Sequence, residues 1–152
     1  MRSQRLDPLI KVTQQRQDDA ARTVAEREQV VREQQERLDA LRRYAEEYAA
    51  SPANATISPA LLVNRIAFRE RLNAAVVQQA GIVDQSRRVS DVERARLMLA
   101  SRETLVLEKL ADSYRAQEAQ VEQAKAQREL DEIGSRRRTN TAALAVGEGE
   151  SA

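Results

Sequence analysis

Cysteine and histidine are both absent from the 152 residues. The first absence excludes disulfides, thiolate nucleophiles and cysteine-ligated zinc. The second removes the commonest metal ligand and the side chain that moves protons near neutral pH. Tryptophan is missing too, and the aromatic set is one Phe and three Tyr. Glycine and proline number only four and three, which leaves little turn chemistry for a many-stranded or multi-layered fold. Neither charge sign dominates: 25 basic and 24 acidic side chains leave a net charge of +1, so no global field draws the chain to nucleic acid or to a membrane. The uncharged stretch from Tyr48 to Asn64 is interrupted by Pro52 and Pro59, so it reads as a loop with flanks and direct membrane insertion is not expected. Met1 to Asp7 carries no apolar segment of the secretory kind, and a cytoplasmic protein is expected.

What the chain does contain is heptad spacing, in two long runs. In the first, Ile10, Gln17, Val24, Val31, Leu38 and Ala45 take heptad position a, while Leu6, Thr13, Ala20, Arg27, Gln34, Leu41 and Tyr48 take d. Asp7-Pro8 pairs a capping acceptor with a proline suited to the first helical turn, and Ser3 offers an earlier cap. Ser51-Pro52 ends the run, because proline disfavours the helical conformation in the residue before it. Ser58-Pro59 then opens the second run. Its frame places Leu72, Ala100, Leu107, Tyr114 and Val121 at a, with Phe68, Ala75, Ile82, Val89, Leu110 and Ala124 at d. Gln79, Ser86, Glu93, Arg96, Glu103 and Gln117 interrupt that seam, and Ile133-Gly134 has the form of a helix end.

A short connector between two long helices makes them antiparallel neighbours. The expected fold is therefore all-α: a long antiparallel two-helix coiled-coil hairpin over residues 1–134, followed by a disordered tail over 135–152. Helix 1 covers about 4–49, the connector 50–58 and helix 2 about 59–133. At 1.5 Å per residue the helices span roughly 65 and 110 Å. Folding at the connector places Leu41 near Phe68 and Leu72, and Leu6 near Leu107. The turns from about Tyr114 onward are then expected to lack a partner, although Tyr114, Val121 and Ala124 keep an apolar stripe there. Such a stripe suits a partner surface.

No catalytic constellation is present. Gly81, which precedes every other glycine, is followed by Ile82-Val83, not by the Lys-Ser/Thr of a phosphate-binding loop. Serines have no histidine to act as their base. Neither enzymatic activity nor a cofactor is expected. Arg136-Arg137-Arg138, with Arg128 upstream, reads as a solvated helix end or as a phosphate contact. Three of the four aromatics, Tyr44, Tyr48 and Phe68, lie beside the connector. They either close the tip of the hairpin or offer a partner an aromatic hot spot.

Leu38-x-x-Leu41-x-x-Tyr44-x-x-Glu47-Tyr48, a proline-bearing loop, then Asn64-Arg65-x-x-Phe68-x-x-x-Leu72-x-x-Ala75-Val76 resemble the FliJ family of flagellar type III export proteins. The similarity runs from about Leu6 to Ile133 and includes Gln127-x-x-Leu130-Asp131-Glu132. It implies an antiparallel coiled-coil hairpin, similar to the central stalk of rotary ATPases, that enters the hexameric ring of the export ATPase FliI. It also implies contact with the export gate FlhA, escort of export chaperones, and recruitment to the cytoplasmic face of the inner membrane. The gate-binding positions it implies fall on Leu41, Tyr44, Tyr48, Phe68, Leu72 and Ala75, with the flanking polar positions on Arg37 and Gln79, where the residue types depart from the family's pattern. For the ATPase ring the expected contacts are Leu9, Val12, Arg16, Tyr114, Val121, Gln127, Asp131 and Glu132. The stalk of a virulence type III secretion system, a nucleic-acid-binding coiled-coil arm using the arginine run, and a purely structural dimeric coiled coil are the competing expectations.

Overall fold

The computed structural model describes residues 1–50 and 58–147. They form two helices, α1 (Arg2–Ala50) and α2 (Pro59–Gly147), packed against each other as a hairpin with α2 the longer. Most of the expected connector and the last residues of the expected tail, 51–57 and 148–152, lie outside the described residues.

The helix ends follow from local chemistry. The Ser58 hydroxyl accepts from the Leu61 N–H at 3.3 Å and its carbonyl accepts from the Leu62 N–H at 3.1 Å, with Pro59 in the first turn where its missing N–H costs nothing. Helix 1 starts earlier than Asp7-Pro8 suggests, so Pro8 lies inside it and leaves one carbonyl of the first turns without an intrahelical donor. Helix 2 also departs from expectation, because it does not stop at Ile133. Gly134 keeps a negative φ and so is not a left-handed cap. The strong helix formers that follow, arginines and alanines, carry the helix through Ser135 to Gly147.

The chain divides into two compact units, one of Met1–Lys11 with the chain from Leu105 onward, the other of Val12–Thr104. In the second, Val24 and Leu38 of α1 are buried with Leu72 and Val83 of α2, Val83 being 2 % exposed. Thr13, Ser90 and Thr104 are buried polar members of the same seam, and the Thr104 hydroxyl satisfies itself on the Ala100 carbonyl at 3.0 Å. Among the described residues no buried side-chain nitrogen or oxygen lacks a partner. In the other unit Ile10 and Ala111 are buried.

The α1 seam follows the expected frame, except that Arg27 stays exposed and Glu28 turns inward. The α2 frame is half right. The column of Leu72, Gln79, Ser86, Glu93, Ala100, Leu107 and Tyr114 is inward, but its companion column sits one residue later than expected. Val76, Val83, Ser90, Leu97, Thr104 and Ala111 face the seam, whereas Ile82 and Leu110 are 41 % and 39 % exposed. A one-residue rotation is what the charges require. The expected column contains Arg96 and Glu103, and the observed one carries no charge before Glu118.

Candidate functional site

Two surfaces stand out, one in each unit. In the unit Val12–Thr104, α1 presents Tyr44 and Tyr48 one turn apart and α2 inserts Phe68 between them. The Phe68 ring lies edge-on to both, with centroids 4.9 Å from Tyr48 and 6.5 Å from Tyr44. These are the T-shaped geometries that aromatic quadrupoles favour. The Arg65 guanidinium stands 5.6 Å over the Tyr48 ring, a cation–π contact. Tyr48 and Leu41 are half-buried, while Tyr44 and Phe68 remain 49 % and 38 % exposed. The cluster is thus both a clasp between helices and an accessible aromatic surface.

Its expected neighbours separate into roles. Leu72 is buried in the seam and Ala75 is half-buried. Arg37 is exposed. Gln79 is drawn inward, its amide donating to the Gln34 carbonyl at 3.0 Å and to the Gln34 side-chain oxygen at 2.9 Å. The first turns of α2 add Leu61, Leu62, Val63 and Ile66, all about half exposed or more. Sequence reasoning passed over them because it assigned no function outside heptad positions a and d. Their clustering within six residues was the available signal.

The second surface belongs to the unit of Met1–Lys11 and the chain from Leu105. The start of α1 is capped there by a side chain from α2: the Glu118 carboxylate accepts the Ser3 N–H at 3.1 Å and the Ser3 hydroxyl at 2.5 Å. Asp7 takes Arg115 at 3.3 Å beside it. The Ser3 hydroxyl, then the Ser3 and Arg2 N–H groups and the N-terminal charge, hold the Glu118 carboxyl below the usual carboxylate range, against a smaller opposing cost of desolvation. Helix pairing therefore reaches Glu118, and Tyr114, expected beyond its end, is half-buried. The discrepancy arises because α1 begins at Arg2 and its Asp7 meets Arg115, not the neighbourhood of Leu107. Tyr114 and Val121 line an open groove of about 420 Å³ with Met1, Arg2, Glu118 and Lys125.

Farther along α2, Gln127 donates to Asp131 at 3.1 Å and Glu132 holds Arg136 at 2.6 Å, both pairs on the exposed helix. Leu9 is 46 % exposed in this unit; Val12 and Arg16 are exposed in the other.

A further groove of about 350 Å³ in the unit Val12–Thr104 gathers Arg32, Arg87 and Arg94 with Glu28, Asp91 and Ser90. Its charges are already engaged: Arg94 bonds Glu28 at 2.7 Å and Asp91 at 3.8 Å, and Arg87 donates to Gln35 at 2.8 Å. No three acidic residues gather to hold a metal among the described residues, and no helix there is long and apolar enough to cross a membrane.

A two-helix coiled coil with a half-exposed aromatic clasp and a long exposed helical extension defines a protein-interaction module. The family model of the flagellar FliJ protein matches residues 1–142. The chain belongs to the FliJ family and is a flagellar export component, in a family whose members are not enzymes. No curated protein and no solved structure matches it.

Proposed function

We propose that this protein is a coiled-coil coupling element of flagellar export, binding the export ATPase FliI through its Glu118-proximal unit and the export gate FlhA through the aromatic clasp. The observation that carries the reading is the half-exposed Tyr44–Phe68 pair, which the half-buried Tyr48 joins through its contact with Phe68. Rigid, partly exposed aromatics lose little entropy on binding and are the usual anchors of an interface. Gate contact then uses Tyr44, Phe68 and Arg37, with Leu41, Tyr48, Leu72, Ala75 and Gln79 as support.

The ATPase surface comprises the groove at Tyr114 and Val121, the exposed helix carrying Gln127, Asp131 and Glu132, and Leu9 of the same unit; Val12 and Arg16, exposed in the other unit, are proposed as separate contacts. A two-helix coil has no six-fold symmetry, so inside a hexameric ring it meets each subunit differently. It can thereby bias assembly or cycling of the ring without chemistry of its own. Escort of export chaperones and recruitment from the cytoplasm to the inner-membrane face complete the proposal.

The test is the ATPase rate and sedimentation of FliI with and without this protein. Faster turnover and a larger ring population are expected; no binding and no change in oligomerisation would reject the coupling role.

A further inference from the structure

Beyond Val121 the hairpin's own seam positions turn polar: Lys125, Arg128, Glu132, Ser135 and Thr139. A different stripe takes over, more than about 100° round the helix from the first. From Ala119 to Leu144 it advances in alternating steps of four and three residues, which is coiled-coil spacing. Every residue on it is exposed, with Leu130 at 64 %, Ile133 at 52 % and Leu144 at 74 %. It faces away from the positions that pair with α1, so α1 cannot cover it.

The sequence of this stripe specifies its occupant. When two copies of the segment are laid antiparallel, position a of one packs on position d of the other. Every layer then closes in a single register: Leu130 on Ile133, Ala126 beside Arg137, Gln123 beside Asn140, and Ala119 under Leu144. Leu130 on Ile133 and Ala119 on Leu144 match apolar with apolar, Gln123 and Asn140 match polar with polar, and the mixed layer sets the long Arg137 side chain beside the small Ala126. The flanks agree, because Glu129 of one copy falls opposite Arg136 of the other, twice by symmetry. In the single chain Arg136 is held by Glu132 on its own helix, and the second copy's Glu129 approaches it from the facing helix. A parallel arrangement stacks Arg137 on Arg137 and sets Glu129 against Gly134, which wastes the charge and adds repulsion.

We propose that the segment Ala119–Leu144 is a self-recognition surface through which two copies of this chain pair antiparallel. This goes beyond the coupling role. The stripe shares its length of α2 with the proposed ATPase surface, of which Gln127 flanks it and Glu132 lies on the opposite face.

The test uses the full chain in sedimentation equilibrium up to about 1 mM, the weak end of specific association. A monomer–dimer equilibrium is expected. Leu130→Glu with Ile133→Glu should weaken it more than about tenfold at unchanged helicity, since both changes lie on exposed turns. Glu129→Arg and Arg136→Glu should each weaken it, and the double exchange should restore it. Orientation is read with a spin label at Gln120→Cys, a clean site in a chain without cysteine. Antiparallel copies separate the two labels by about 35 Å, whereas parallel copies bring them together. A monomer throughout, a dimer indifferent to the Leu130 and Ile133 changes, no rescue by the charge exchange, or a short label distance would each overturn the proposal. None of these readouts involves the ATPase, so failure of the coupling role leaves them unaffected.

Discussion

The two units close by different chemistry. In Val12–Thr104 the helices are clasped by aromatic rings, Tyr44 and Tyr48 against Phe68, and by buried aliphatic side chains such as Leu72 and Val83. In the unit holding Met1–Lys11 and the chain from Leu105, Ile10 and Ala111 are buried, but the clasp at the start of α1 is polar, built from Ser3 on Glu118 and Asp7 on Arg115. Apolar burial responds weakly to salt and pH, whereas exposed charge-assisted bonds respond to both. The contrast suits the proposed roles. A preformed aromatic surface needs a firm base, and an end that must accommodate a ring gains from contacts that exchange readily.

The largest expected effect comes from the apolar seam. Val83→Asp places an unpaired carboxylate where the side chain is 2 % exposed, and should cost more than about 3 kcal/mol in thermal unfolding followed by circular dichroism. Phe68→Ala comes next. It removes two edge-on ring contacts from a partly exposed position, for about 1–2 kcal/mol. If the Phe68 change proved the costlier of the two, the clasp and not the seam would hold this unit.

The polar end should show a smaller effect that depends on pH. Its hydrogen bonds depress the Glu118 pKa on folding. The stabilisation is therefore present above the ordinary carboxylate pKa and disappears as pH falls through the lowered value. The protection factors of amides in the first turns of α1, which are exchange rates divided by the intrinsic rate at each pH, should fall between neutral pH and about pH 3, and Glu118→Gln or Ser3→Ala should flatten that dependence. An equal loss of protection at the aromatic clasp would contradict the division between the units. Smallest of all is truncation after Ile133. The described residues it removes are exposed or, at Gly134, half-buried, so the melting temperature should move by no more than about 2 °C.

Much of this was legible in the chain itself. The α1 frame predicted the burial of Ile10, Thr13, Val24 and Leu38, because uncharged residues fill every a and d position of that helix but Arg27. On α2 the column through Leu72 was readable. Its companion was not, since the true column hides behind Ser90, Thr104 and Ala111 while Ile82, Val89 and Leu110 advertise the wrong one. Weighing Arg96 and Glu103 as vetoes would have settled it. The aromatic cluster was visible from Tyr44 and Tyr48 standing four residues apart. The inward turn of Gln79 was not, because it depends on Gln34 across the seam. The continuation of α2 past Gly134 escaped because a glycine was read as a stop where the backbone needs no left-handed residue.

The most direct measurement pits the two surfaces against each other in one variant. Tyr44→Ala with Phe68→Ala should lower gate binding more than about tenfold while leaving FliI binding and helicity intact. Loss of both interactions to the same degree, in a protein still helical, would contradict the assignment of separate partners to the aromatic clasp and the Glu118 end.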